Sequence, residues 1–327
     1  MILAGDIGGT KTNLALFEYL GGELKIFAQE QFVSRDFESL TAVIIAFEKK
    51  CKTSQIDAAC FGIAGPIING RCRTTNLPWD ITTSGLQEHL AVEKVKLLND
   101  LEATAYGMLY LKEDEFVELN PTGRVVDANR AVIAAGTGLG EAMLYFDGER
   151  YHPIGSEGGH SDFAPISSQQ DALLKWMRNR FPGHVSYERI LSGPGIYTLY
   201  EFLYESGFAH QPQAMLSLSP EEDKSAMISQ CALNQNDPLC LETLRLFAEI
   251  YGAEAGNLAL KSMSLGGVYI GGGIAPKILP ILRNNHFMNG FTCKGRFEEM
   301  LRGMEVKISL NPETALLGAA HFAKDKL

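Results

Sequence analysis

The run Ile2-Leu3-Ala4-Gly5-Asp6-Ile7-Gly8-Gly9-Thr10 opens the chain, and Thr12-Asn13-Leu14-Ala15-Leu16-Phe17-Glu18-Tyr19 follows it. Ile2 to Asp6 reads as a strand, and the alternation from Thr12 to Tyr19 reads as its hairpin partner. The glycine turn between them brings bare backbone N–H groups close together, which suits an anion. Thr10 adds a hydroxyl donor, and Asp6 is placed to hold Mg²⁺ directly or through water. The turn is followed by β-type residues and not by a helix, so it is no dinucleotide fingerprint. A Gly-Lys pair occurs nowhere in the chain, which excludes a Walker loop. The competing reading is a hairpin that happens to use glycine.

Outward from this point the pattern continues as a third strand, Leu24 to Phe32, after the turn Gly21-Gly22. Leu40, Val43, Ile44 and Phe47 recur at helical spacing, with Ser34 and Asp36 as cap candidates. A buried strand over Ala58 to Gly65, a helix over Thr83 to Leu90, a strand over Val95 to Leu98 and a helix over Glu102 to Leu111 come next. The order then restarts. Arg130 to Ala135 runs into Gly136-Thr137-Gly138-Leu139-Gly140, Ala142 to Phe146 returns, Asp147-Gly148 turns and Arg150 to Ile154 follows. Antiparallel strands joined through helices to parallel ones make a mixed sheet. The repetition predicts an α/β fold with duplicated mixed sheets.

The later elements read as helices over Asp171 to Asn179, Tyr187 to Leu191, Ile196 to Tyr204 and Leu239 to Met263. Val268 to Ile270 is a short strand, and Glu313 to Lys324 a closing helix behind Pro312. Ala209 to Asp223 reads as a mobile surface loop. No shift of composition marks a domain boundary. By pattern alone, a small lobe spans 1–110 and is completed by the closing helix at 312–327, with a large lobe over 111–311.

The 327 residues are 46% hydrophobic and 21% charged, ordinary values for a globular protein. No apolar run is long enough to span a membrane. The N-terminus lacks a basic segment and has an acid at position 6, so a signal peptide is not expected and the cytoplasm is. The net charge of −10 repels phosphate backbones and argues against nucleic-acid binding. A local nest of N–H groups still holds a nucleotide in such a chain. None of the six cysteines lies within four residues of another, so no zinc-ligand pair is present and structural zinc is not expected.

Four further clusters carry chemistry. Gly136-Thr137-Gly138 repeats the glycine-and-threonine device of Gly5 to Thr10, and two such loops suggest two jaws on one polyphosphate chain. Val268-Tyr269-Ile270-Gly271-Gly272-Gly273 leads a strand into bare backbone, on which a flat base can lie. A tight strand-to-helix turn explains it almost as well. Leu98-Asn99-Asp100 ends a strand, with Glu102 three residues after Asn99. That spacing fits a capping box, while Asp100 also stands where open α/β sheets place their ligands. Ser156-Glu157-Gly158-Gly159-His160-Ser161-Asp162 sets a carboxylate and an imidazole around two glycines, a layout for neighbouring hydroxyls. Glu188 is a weaker candidate, after the possible cap Ser186.

Taken together these pieces resemble the bacterial ATP-dependent glucokinases of the hexokinase-like, actin-fold superfamily. The matching segments are GDIGGT, FGIAGPI, TNLPW, LLNDLEATAYG, GTGLG, SEGGHSDFAP, HVSYERILSGPG, GGVYIGGGIAP and NPETALLGAAH, in the family's order from residue 5 to about residue 321. The resemblance implies a two-lobed actin-like, ribonuclease-H-like ATPase fold with a cleft between the lobes. It implies ATP phosphates and Mg²⁺ held by Gly5, Asp6, Ile7, Gly8, Gly9, Thr10, Gly136, Thr137 and Gly138, with Gly271, Gly272 and Gly273 near the adenosine. Asn99, Asp100, Glu157, His160 and Glu188 would bind glucose, Asp100 as the base for the 6-hydroxyl, with Asn76 and Trp79 nearby. A homodimer is implied in the same way.

Three rivals follow from the same residues. Lys11-Thr12-Asn13 resembles the repressor–kinase (ROK) family, but no cysteine cluster follows Gly159-His160, which disfavours that family's zinc-bearing branch. A sugar-sensing repressor would need a DNA-binding segment ahead of Ile2, and the acidic balance opposes it. An actin-like filament ATPase would not need Glu157, His160 and Glu188. The motifs leave open which hexose is taken, and the loops alone do not separate ATP from ADP or polyphosphate.

Overall fold

The computed structural model describes residues 1–51, 55–74, 77–122 and 126–327. The first half contains β1 (Ile2–Ile7), β2 (Lys11–Leu20), β3 (Glu23–Val33), α1 (Leu40–Cys51), β4 (Ala58–Ile63), β5 (Arg71–Arg73), β6 (Asp80–Thr82), α2 (Thr83–Leu90), β7 (Val95–Asn99) and α3 (Asp100–Met108). The second contains β8 (Phe116–Asn120), β9 (Arg130–Ala135), β10 (Leu139–Phe146), β11 (Tyr151–Ser156), α4 (Ser168–Arg180), α5 (Gly193–Glu205), α6 (Gln213–Leu216), α7 (Lys224–Gln235), α8 (Pro238–Ser262), β12 (Val268–Gly271), α9 (Leu279–Leu282), α10 (His286–Thr292), α11 (Glu298–Arg302), β13 (Val306–Ser309) and α12 (Thr314–Lys326). Among the described residues no helix is long and apolar enough to cross a membrane.

The first sheet has the order β3-β2-β1-β4-β7. β2 is antiparallel to both β1 and β3, whereas β4 runs parallel to β1 and β7. The second sheet has the order β11-β10-β9-β12-β13-β8, with β12 parallel to β9 and β13 and with β8 antiparallel at the edge. Strand for strand, β1, β2, β3, β4 and β7 correspond to β9, β10, β11, β12 and β13. The duplicated mixed sheets expected from the repeated turn pattern are therefore present. β8 is the one strand of the larger sheet without a counterpart.

The chain forms two compact units. One comprises Met1–Glu115, Ala142–Gly155 and Asn311–Leu327, the other Phe116–Glu141 and Ser156–Leu310, so the division falls inside β10. In the first unit both sheet faces are apolar. Leu3, Leu14, Leu16, Phe61 and Leu97 pack with Val43, Ile44, Phe47 and Trp79 on one side. Ala4, Ala15, Phe17, Cys60 and Leu98 pack with Ala103, Leu316, Ala319 and Ala320 on the other. The second face is lined by alanines because α3 and α12 approach the sheet and each other closely.

Some expectations are corrected. Ser34 and Asp36 do not cap α1; they form a 3₁₀ turn, Ser34–Asp36, and Ser39 caps the helix by accepting the Ala42 N–H at 3.1 Å. α3 begins at Asp100 and not at Glu102, because Asn99 is its cap. The helix expected over Tyr187 to Leu191 is a single 3₁₀ turn, Tyr187–Arg189, since Ser186 makes no side-chain cap and Ser192 already starts α5. The stretch Ala209 to Asp223 holds the one-turn helix α6, closed by N–H bonds to the Pro212 carbonyl.

Candidate active site

In the first unit the parallel strands end together. Asp6 stands opposite Asn13 and Gly62, and one row further Ile63 stands opposite Ile7 and Asn99. Asp100 therefore leaves the sheet at the same carboxyl edge as the Gly8 to Thr10 turn. Its position is fixed by a capping box: Asn99 Oδ1 accepts the Leu101 N–H at 2.9 Å, and Glu102 Oε2 accepts the Asn99 N–H at 2.8 Å. Asn99 Nδ2 donates to the Gly65 carbonyl at 3.2 Å, and Glu102 Oε1 accepts from Gly155 N–H at 3.3 Å. Asn99 and Glu102 thus satisfy the helix start, and Asp100, the first residue of α3, shares the Leu101 N–H through its Oδ1 at 3.0 Å.

The glycines of the first turn divide by role. Gly5 is demanded by packing, because a Cβ there would lie 2.6 Å from the Phe61 ring. The Gly8 N–H donates within the turn to Lys11 at 2.9 Å. Ser34 braces the turn from outside: its hydroxyl donates to the Gly8 carbonyl at 2.8 Å and its N–H to the Thr10 carbonyl at 3.0 Å. Burial raises the Asp6 carboxyl above its ordinary range, and the Asn13 amide, 3.4 Å away, pulls it back. A half-buried carboxylate with one neutral donor suits a hydrated dication. Among the described residues no group of three His, Cys, Asp or Glu side chains is gathered to hold a metal by itself.

The second unit brings its predicted residues together. Gly136 N–H donates to the Gly138 carbonyl at 2.8 Å, and Gly193 N–H donates to that of Gly136 at 2.8 Å, so the loop is held from two sides. Glu188 Oε2 accepts the Leu139 N–H at 2.9 Å and lies 2.5 Å from where a Cβ on Gly138 would stand. The other Glu188 oxygen is 3.6 Å from His160 Nε2, and His160 Nδ1 is 4.0 Å from Glu157 Oε2. His160 and Glu157 keep about 60% and 64% of their side chains exposed, open to a ligand. Glu157, His160 and Glu188 thus form a row of polar heads against the Gly136 to Leu139 loop. Gly159 is required by the fold, because a methyl there would run into the Leu139 carbonyl oxygen.

Gly271 pairs with Ala134, which sets the triple glycine beside Gly136. Gly272 has φ +81°, and a Cβ on it would collide with the Ala135 carbonyl, while the space around Gly273 is open. Close approach of β12 to β9 thus explains Gly272 by itself. Trp79 is a core residue, 2% exposed, its indole N–H donating to the Phe37 carbonyl at 3.0 Å. Asn76 lies outside the described residues. The sequence reading missed Ser34 as a brace and two buried acids, Glu141 and Glu254. Only Glu141 left a signal, as a charge directly after Gly140 in an otherwise apolar strand.

The Glucokinase family profile matches residues 3–326. This chain belongs to the glucokinase family. It is 41% identical to the glucokinase of Nostoc punctiforme over 98% of both chains. The glucokinase of an Antarctic psychrotroph superimposes with a TM-score of 0.86 at 31% identity, covering 99% of each chain. A ROK family glucokinase from Streptomyces griseus, solved with glucose and AMPPNP, shares the fold at a TM-score of 0.69 and 20% identity, again over 99% of each chain. As in these glucokinases, the architecture is the two-lobed actin-like α/β fold.

Proposed function

We propose that the chain carries out the reaction for which its family is named, transfer of the γ-phosphoryl group of ATP to the 6-hydroxyl of glucose. One observation carries the reading. The Glu188 carboxylate that meets His160 also accepts the Leu139 N–H, so hydroxyl-binding heads and a phosphate loop are built as one piece. A filament ATPase has no use for that link.

Gly8 to Thr10 and Gly136 to Gly138 cradle the phosphates, and the bare backbone of Gly271 to Gly273 lies along the adenosine. Glu157, His160 and Glu188 accept and donate hydrogen bonds to sugar hydroxyls, with Asn99 contributing its remaining amide capacity. Asp100 orients the 6-hydroxyl and takes its proton late, when bond formation has made that proton acidic. Phosphoryl transfer asks mainly for placement and charge stabilisation, which a fixed helix terminus supplies. Asp6 would hold Mg²⁺ through water, and such an ion would supply neutralising charge to the phosphate oxygens. The same proposal includes a cytoplasmic location and a homodimer.

Glu157→Gln keeps the size of the side chain and removes its charge. Loss of one charge-assisted hydrogen bond is worth about 1.5–3 kcal/mol. The glucose KM is therefore expected to rise about tenfold or more, with the ATP KM unchanged. An unaltered glucose KM in steady-state kinetics would remove Glu157 from the sugar site.

A further inference from the structure

Beneath the sugar-binding turns lie two buried acids that the proposed reaction does not use. Glu141, in β10 directly after the second glycine loop, is 1% exposed, and Glu254, in α8, is 0% exposed. The two side chains meet, and Oε1 of each is buried without a hydrogen-bond partner among the described residues. Two carboxylates are both acceptors, so their contact is a hydrogen bond only if one carries a proton.

We propose that Glu141 and Glu254 share one proton as an acid–carboxylate pair, and that this pair is the positioning element of the sugar-binding turns. It reaches both turns. Glu141 Oε2 lies flat against Gly158, where a methyl group would collide with it. Ser156 Oγ donates to the Glu141 carbonyl at 3.1 Å and accepts the Gly158 N–H at 3.2 Å. Gly158 stands between Glu157 and His160. On the other side Asn257 Nδ2 donates to Glu254 Oε2 at 2.8 Å and to the Tyr187 hydroxyl at 3.1 Å, and Tyr187 precedes Glu188.

The groups facing the pair are few. Lys261 Nζ, on a 59% exposed side chain, is 3.6 Å from Glu254 Oε1, and Lys294 adds a more distant positive charge. Tyr251 and Tyr187 complete the surroundings, both held neutral by burial and by the pair's charge. Burial first, and next the Glu254 charge, push the Glu141 carboxyl up to about 8. An acid raised in the folded state contributes stability that is full below its ordinary value of 4.5 and is lost as pH rises through about 8. At higher pH a second buried negative charge appears, and the turns it supports shift.

The positioning claim rests on the sugar site proposed above, so the test has two readouts. Glucose KM, ATP KM and melting temperature are measured for the wild type, Glu141→Gln and Glu254→Gln between pH 6 and 9.5. The wild-type glucose KM is expected to rise on the order of tenfold across the alkaline half, where the melting temperature falls and the ATP KM stays level. Glutamine donates permanently, so both alkaline changes vanish in Glu141→Gln. A wild type with no alkaline change, or a Glu141→Gln variant that keeps it, overturns the proposal, and Glu254→Gln decides it in the same way if Glu141→Gln does not fold. Absence of glucose turnover at every pH contradicts the proposed function and the positioning role with it, while the melting curves still accept or reject the shared proton.

Discussion

Asp100→Ala is expected to lower glucose-dependent turnover about 10³-fold, within the range that a positioned general base contributes. The cap of α3 does not depend on that carboxylate. The Leu101 N–H that meets Asp100 Oδ1 at 3.0 Å is also bonded to Asn99 Oδ1 at 2.9 Å, and the reciprocal bond of the capping box comes from Glu102. Loss of the Asp100 carboxylate therefore leaves the start of α3 satisfied. Binding of ATP, followed by calorimetry, should persist because no glycine loop is touched. Turnover near the wild-type rate would remove Asp100 from the role of base.

Gly318→Ala has the largest expected effect on stability. A methyl group there would overlap the Ala103 carbonyl oxygen, and the reciprocal position Gly107 faces the Thr314 carbonyl in the same way. Both obstacles are backbone, so no side chain can swing aside and α12 must move away from α3. Overpacking of this kind costs up to about 3 kcal/mol or more, a fall in melting temperature on the order of 10 °C. Because α3 begins with Asp100, kcat should fall together with stability. An unchanged melting temperature would show that the two helices have room the geometry does not give them.

What was legible in the sequence follows from how local each signal is. The strand pairs around the two glycine turns, the helix over Thr83–Leu90 and the capping box at Asn99 and Glu102 are each decided within a few residues, and each is present. Ser34 was misread because its partner Gly8 is 26 residues away, and hydroxyl–carbonyl contacts at that range leave no periodicity. The same holds for Glu141 and Glu254, which only the fold brings together. The strands β5, β6, β8 and β13 are three to five residues long, too short for alternation to announce them. Gly5 and Gly272 show the opposite limit. Their motif suggested ligand contact, whereas packing against Phe61 and Ala135 already requires glycine at both places.

The central claim, a kinase whose acceptor is glucose, is tested most directly by ADP release with ATP and Mg²⁺ against glucose, mannose, fructose, N-acetylglucosamine and no sugar. Release that depends on glucose, with little from N-acetylglucosamine, is the predicted result. Release that ignores the sugar, or silence with every sugar in the panel, would contradict it.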